Sequence, residues 1–285
     1  MSSGDSVVHD NTTVGAIAGP QSDDRGTFCE PDLQRRFSGL ERLYGVQGAV
    51  RIRAAHVAVV GVGGVGSWAA EALARSGVGT LTLIDLDNVA ESNINRQVHA
   101  LTGTIGQAKI EAMRTRIEQI NPACTVHCIE DFVTADNWPA ILPAGVDAVL
   151  DACDQVSAKF AMAQWSRKTK CLLITVGAAG GKRLAHQVEI NDLALTTHDP
   201  LLAQLRYRLR KQGNAPSSGS GKKMGVNCVF SREAVAQPDQ SCAPNSRDHT
   251  LNCHGYGSVV TVTATFGQCA AGWILDHLAR GQTKN

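Results

Sequence analysis

The sequence predicts an α/β protein built on a doubly wound, Rossmann-like, mainly parallel sheet with a C-terminal α/β extension. Three observations carry this. Short apolar runs alternate with helix-period segments from residue 56 to residue 176. A glycine loop, Gly61-Val-Gly-Gly-Val-Gly66, sits between the first apolar run and a helix. Asp85 and Asp151 stand where two later runs stop, at the edge where sheets of this kind bind ligands.

Residues 1–31 are rich in Ser, Gly, Asp and Thr without an apolar period, and read as a disordered tail. From Asp32 to Ala55 the spacing of Leu33, Phe37, Leu40 and Leu43 among arginines predicts short amphipathic helices. His56–Val60 is a strand, and the helix after the glycine loop runs through Arg75 to a stop at Ser76-Gly77. Thr80–Ile84 is the next strand. A helix over about 106–120 places Ile110, Met113, Ile117 and Ile120 on one stripe, and Asn121-Pro122 ends it.

Strands at 125–129 and 146–150, a helix at 156–168 and a strand at 171–176 continue the alternation. Residues 32–190 therefore read as one nucleotide-binding domain, and 191–285 as an extension. In and beside the extension the pattern predicts a strand at 186–190, a basic helix over 199–211 and a flexible Gly/Ser loop at 213–224. A strand at 226–230, an irregular loop at 236–254 and a terminal helix over 258–280 follow.

Composition narrows the partners. A net charge of +1 leaves no global attraction to nucleic acid, so RNA contacts must come from local patches. Candidates are Arg206 and Arg210 on the basic helix and Lys222 and Lys223 in the loop, with Lys182-Arg183 beside them. The nine cysteines are odd in number and scattered, which suits reduced thiols in the cytoplasm. None has C-x-x-C spacing, and Cys124 and Cys128 fall on one face of an alternating strand, so zinc is not expected. Cys228, after the basic loop, is the candidate reactive thiol. No signal peptide is visible, and the apolar run from 258 to 275 holds too many threonines for a membrane span.

The glycine loop suits a nucleotide phosphate, because glycines allow close backbone approach and the helix start offers free N–H groups. Asp85, 24 positions after Gly61, suits ribose hydroxyls. Both features fit NAD as well as ATP. The residues downstream separate the two: Asp85-Leu-Asp87, Asn93-Ile-Asn95-Arg96-Gln97, Lys109, and Asp151-Ala-Cys-Asp154. Cations facing phosphates offset the charge that builds on a pyrophosphate leaving group, and a carboxylate can hold the magnesium ion that bridges phosphates. A dehydrogenase needs neither.

These motifs resemble the ubiquitin-activating, ThiF-type superfamily of adenylate-forming enzymes. The match extends to Arg36-Phe-Ser-Gly39, Arg42-Leu-Tyr-Gly45, Thr175-Val-Gly-Ala-Ala-Gly-Gly181, Asp199-Pro-Leu and Val226-Asn-Cys-Val-Phe-Ser231. Within the superfamily it is most similar to the branch that modifies threonylcarbamoyladenosine in bacterial tRNA. The resemblance implies that ATP with magnesium activates the carboxylate of N6-threonylcarbamoyladenosine in the anticodon loop. The neighbouring ureido group then closes a ring with net loss of water.

By the same resemblance Gly61, Gly63, Gly64 and Gly66 cradle the nucleotide, while Asp85 and Asp87 lie at the ribose. Asn95, Arg96 and Lys109 contact phosphates, and Asp154 binds magnesium. It also implies a homodimer in which an arginine crosses to the partner, with Arg42 standing in where relatives have an arginine at the position of Gly39. A cysteine desulfurase or sulfur-acceptor system is a further partner. The main rival is adenylation of the C-terminal carboxylate of a ubiquitin-like sulfur carrier, against which the missing zinc pairs count. A non-catalytic scaffold in sulfur transfer is a second rival, against which the converging polar groups count.

Overall fold

The computed structural model describes residues 31–213, 215–217, 219–237 and 256–282. The expected N-terminal tail and most of the expected irregular loop at 236–254 lie outside the described residues. In chain order the elements are α1 (Leu33–Ala54), β1 (His56–Val60), α2 (Gly66–Arg75), β2 (Thr80–Ile84), α3 (Lys109–Ile120) and β3 (Thr125–Ile129). They continue with β4 (Ala148–Asp151), α4 (Val156–Thr169), β5 (Leu172–Val176), β6 (Val188–Asp192), α5 (Pro200–Lys211), β7 (Asn227–Ser231) and α6 (Val260–Ala279).

Unbroken apolar runs imply strands covered on both faces, and the side chains divide accordingly. In β1, Val57 and Val59 enter the core beneath α2, α3 and α6. Ala58 and Val60 enter the core beneath α4 and α5. β4 and β5 divide in the same way, with Leu150 and Ile174 on the first side and Val149 and Leu173 on the second.

The sheet has seven strands in the order β3-β2-β1-β4-β5-β7-β6. All neighbours are parallel except β6 with β7. The order reverses between β1 and β4, so the loops leaving those two strands diverge and open a crevice at the sheet edge. Register aligns the strand ends there, with Val60 opposite both Ile84 and Asp151. Residues after 191 supply β7 to this same sheet and α6 to the same core.

Element boundaries shift where capping chemistry decides them. Asp199 is the N-cap of α5, accepting from the Leu202 amide, so the helix starts at Pro200. β6 starts two residues after its expected position because Ala185–Gln187 forms a 3₁₀ turn. α1 is interrupted at Gly45, with φ 74°. Of its expected apolar stripe, Phe37 is buried but Leu43 is 72 % exposed, because the helical repeat carries Leu43 about 120° round from Phe37.

The apolar run at the C-terminus becomes α6, which buries Val262, Phe266, Ala270, Ile274 and Leu278. Among the described residues no helix is long and apolar enough to cross a membrane. α6 lies on α2 at backbone contact. A Cβ built on Gly267 would stand 2.5 Å from the Val65 carbonyl oxygen and 2.9 Å from the Ala69 nitrogen. Gly267→Ala should therefore lower stability by about 1–3 kcal/mol, the cost of overpacking, read from the urea midpoint. Gly272→Ala, on the open side of the same helix with nothing within 4 Å, should instead raise it by about 0.5–1 kcal/mol.

Candidate functional site

β1 ends in a turn that only glycine can make. Gly61 has φ 84°, and its amide donates to the Ile84 carbonyl at 2.8 Å. A Cβ on Gly66 would lie 1.8 Å from the Gly61 oxygen, so the first turn of α2 rests directly on the strand end. A Cβ on Gly64 would meet the aliphatic stem of Arg96 at 3.3 Å, whereas nothing lies within 4 Å of one on Gly63. Gly63 thus marks the open side of the cradle, and α2 starts there without a side-chain cap. Uncapped amides at a helix start favour an anion.

Asp85 follows β2 and braces this loop. Its carboxylate is 8 % exposed and accepts from the Val62 amide at 2.6 Å and the Asp87 amide at 2.9 Å. Burial pushes its pKa up, opposed by Lys109 at 3.9 Å. Lys109, buried at the start of α3, donates to Asp87 at 2.6 Å. Asp85, Asp87 and Lys109 therefore form one connected group.

Asn95 and Arg96 follow the 3₁₀ turn Glu91–Asn93. Arg96 Nη1 donates to the Ser92 carbonyl at 2.7 Å and to Asn95 Oδ1 at 3.0 Å. The Arg96 carbonyl accepts from Trp68 Nε1 at 2.9 Å, and Asn95 Nδ2 donates to the Ser258 carbonyl at 3.0 Å. The segment is thereby tied to both α2 and the chain entering α6.

At the end of β4, Asp151 and Lys159 are both fully buried. Lys159 Nζ lies 3.1 Å from each Asp151 oxygen, 3.2 Å from Thr175 Oγ1 and 2.8 Å from the Val176 carbonyl. Burial works against the Lys159 charge, and the Asp151 carboxylate outweighs it, so its pKa is raised. Cys153 Sγ points at Asp151 from 3.0 Å, and burial with that carboxylate holds the thiol well above its ordinary value. Asp154, three residues on, is half-buried at the start of α4.

The structure thus gathers Gly61, Gly63, Gly64, Gly66, Asp85, Asp87, Asn95, Arg96, Lys109 and Asp154 around the ends of β1, β2 and β4. Arg42 is exposed on α1, and no hydrogen bond or ion pair joins it to these groups.

Burial corrects two expected roles, at Cys228 and Lys182, while Arg206 and Arg210 are tied to nearby backbone. Cys228 is fully buried in the core beneath α4 and α5, and burial pushes its thiol well up. With no exposed surface it is not placed to react with a partner. Arg206 is half-buried and donates through Nη1 to the Leu193 and Thr196 carbonyls and to Thr196 Oγ1, bracing the turn before α5. Arg210 Nε donates to the Pro216 carbonyl at 3.2 Å. Lys182 is 2 % exposed and donates to the His198 and Glu233 carbonyls. Of the expected RNA contacts, Arg183, Lys222 and Lys223 remain exposed.

Sequence reasoning missed Lys159, whose only signal is its place eight residues after Asp151. It also missed His99, 1 % exposed, with no hydrogen-bond partner at either ring nitrogen among the described residues.

A model of the ThiF family matches residues 35–285. The chain belongs to the ThiF family. A tRNA threonylcarbamoyladenosine dehydratase of Haemophilus influenzae is 43 % identical over 252 residues, covering 87 % of this chain and 95 % of that protein. A solved structure of the Escherichia coli tRNA N6-threonylcarbamoyladenosine dehydratase in complex with ATP is 44 % identical, with TM-score 0.78. That match covers 87 % of this chain and 95 % of the other. An adenylyltransferase and sulfurtransferase of Drosophila willistoni matches at 39 % over 117 residues, 41 % of this chain and 25 % of that protein.

His99 generates a pH prediction. Burial first, then Lys109 and Arg116, lower its pKa to about 4 from an ordinary 6.5. Between those values the unfolded chain binds more protons than the folded one, so stability rises with pH across that window. His99→Leu should shrink the stability difference between pH 7 and pH 5 by roughly 2 kcal/mol. Urea midpoints of parent and variant at the two pH values measure this, and parallel pH profiles would contradict it.

Proposed function

We propose that this ThiF-family chain is an ATP-dependent enzyme that dehydrates N6-threonylcarbamoyladenosine in tRNA to its cyclic form. The observation that carries the reading is the convergence at one sheet edge of an open glycine cradle, two cations and a carboxylate. Dehydratases similar over nearly their whole length support it. The sulfurtransferase similarity covers only 41 % of this chain, which makes carrier-protein adenylation the weaker alternative.

The residues fit a nucleotide triphosphate. The Gly63 side leaves room, whereas a Cβ on Gly61 or Gly66 would stand 3.0 Å or 1.8 Å from neighbouring backbone, and the α2 amides there would take phosphate oxygens. Arg96 and Lys109 would lie against the phosphates, with Asp85 and Asp87 near the ribose. Asp154 would take magnesium; among the described residues no group of three or more His, Cys, Asp or Glu side chains forms a metal site of its own. When bound, ATP supplies the activation that turns a carboxylate oxygen into a leaving group.

This chain's residues then have two tasks. Arg96 and Lys109 offset the negative charge that grows as the leaving group departs. The tethered loops hold the nucleoside so that its own ureido nitrogen meets its activated carboxyl, at the high effective concentration of an intramolecular reaction. No protein nucleophile is needed. A homodimer suits α1, where Arg42 lies beside Leu43, Val46 and Val50, which are 72 %, 60 % and 43 % exposed. A second copy covering that face would carry Arg42 toward the neighbouring site.

The deciding experiment is nucleoside mass spectrometry of tRNA containing N6-threonylcarbamoyladenosine after incubation with protein, ATP and magnesium. An ATP-dependent product lighter by one water is expected. An unchanged nucleoside, from folded protein that binds ATP, would shift the reading to carrier adenylation. In the same assay Arg96→Ala should slow turnover by about 10²–10³ at saturating ATP, while its melting temperature stays near that of the parent.

A further inference from the structure

On the opposite face of the sheet from α2 and α6 lies an open cavity of about 860 Å³, within the size range of small-ligand sites. It is formed by α4, the segment before β4 and the chain leaving α5. Its walls include Trp138, Phe160 and Trp165, with Gln164, Arg167 and Lys168 at the rim, and among the described residues none that lines it is a carboxylate. Trp138 and Trp165 meet edge to face with centroids 5.2 Å apart. Trp138 is 7 % exposed, and its indole N–H, buried, has no acceptor among the described residues.

The cavity is braced rather than loose. Gln164 donates to Gln212 at 3.3 Å, and Arg210 donates to the Pro216 carbonyl. The first bond ties the end of α5 to α4, and the second folds the chain after α5 back on that helix. Arg210, an expected RNA contact, also shapes this wall.

Charge indicates the occupant. The segment before β4 carries the exposed carboxylates of Glu130, Asp131 and Asp136, whereas residues 155–170 and 200–226 contain no Asp or Glu at all. Exposed on them are Lys168, Lys170, Arg208, Lys211, Lys222 and Lys223. An apolar peptide would be indifferent to such a field, whereas a polyanion with flat apolar rings fits both features. Unpaired bases stack on aromatic side chains, and Phe160 and Trp165 are only half-buried here. The phosphates on either side of the base would meet the rim lysines.

Position along α4 completes the case. Trp165 follows Asp154 by eleven residues, about 16 Å along a helix. That is the span of about five stacked nucleotides of one strand at about 3.4 Å each. We propose that this cavity docks an unpaired base of the RNA substrate a few nucleotides from the one that reacts, so that the loop is gripped at two points. The proposal rests on the tRNA reading above.

The test is fluorescence anisotropy of a labelled anticodon stem-loop RNA bound to the full-length protein, with ATP affinity and melting temperature measured alongside. Lys168→Glu, on an exposed position, should weaken RNA binding about tenfold, and Lys168→Ala should reduce the slope of log affinity against log salt by about 1. Trp165→Ala should weaken binding at every salt concentration, and Trp165→Phe, which keeps a ring to stack on, should restore most of it. ATP affinity should be unchanged in all four. Parent-like RNA affinity in both Lys168→Glu and Trp165→Ala overturns the pocket and leaves a peptide groove in its place, even if dehydration proceeds normally. Weakened RNA binding in a protein that fails to dehydrate the nucleoside supports the pocket and removes the dehydratase reading alone.

Discussion

The buried ion pair of Lys159 with Asp151 is the constraint on which the site depends. Two opposite charges wholly out of water are tolerable only when every proton and lone pair is used. Lys159 meets this by reaching both Asp151 oxygens, the Thr175 hydroxyl and the Val176 carbonyl. The pair locks the end of β4 to α4 and to β5 at once. Loss of either partner would leave a bare charge in the core, at a cost of about 3–5 kcal/mol. The consequence reaches the nucleotide cradle, because the backbone just after Asp151 is its floor. A Cβ on Gly61 would come within 3.0 Å of the Ala152 carbonyl carbon and the Cys153 nitrogen. The glycine turn, the Asp154 carboxylate and the start of α4 are thus placed by one interaction beneath them.

Much of the fold was legible because burial on both faces leaves a plain mark. β1, β2, β4 and β5 are short apolar runs, and no other element type of that length sits between glycine turns and helix stripes. The α3 stripe was equally clear, with Ile110, Met113 and Ile117 all buried. Asp85 and Asp151 were readable because each stands at the end of a strand, and register then brings those ends together. What the sequence could not show is which charges face inward. Lys159 and Arg206 look like ordinary helix cations, yet the first is fully buried and the second is spent on backbone carbonyls. Neither burial nor partner leaves a local pattern, because both depend on what packs from elsewhere in the chain. Cys228 shows the same limit: proximity to lysines in sequence suggested a stabilised thiolate, and the strand instead turns the thiol into the core.

The thiols as a group bear on the chemistry. Burial raises the pKa of all six described cysteines: to about 11 for Cys124 and Cys171, to about 12 for Cys128, and in direction alone for Cys153, Cys228 and Cys269. A thioester relay needs a thiolate at neutral pH, so none of these six is poised for one. Ring closure within the substrate asks for no such group. It asks for an activated carboxyl and a rigid frame, and the polar residues at the crevice are arranged for those needs.

That rigidity comes from the C-terminal part of the chain as much as from the nucleotide-binding half. Ser258 accepts from Asn95, and Thr263 packs its methyl group where a Cβ on Gly64 would meet it at 3.3 Å. The start of α6 therefore clamps the Asn95–Arg96 segment against the glycine loop from above, while Gly267 lets α6 sit close enough on α2 to do so. An arginine whose stem lies over the cradle and whose carbonyl is held by Trp68 loses little freedom on meeting a phosphate. Electrostatic stabilisation of a departing group is strongest when the donor is already in place. The close α2–α6 contact, made at the Val65 carbonyl of the glycine loop, is in this way part of what prepares Arg96.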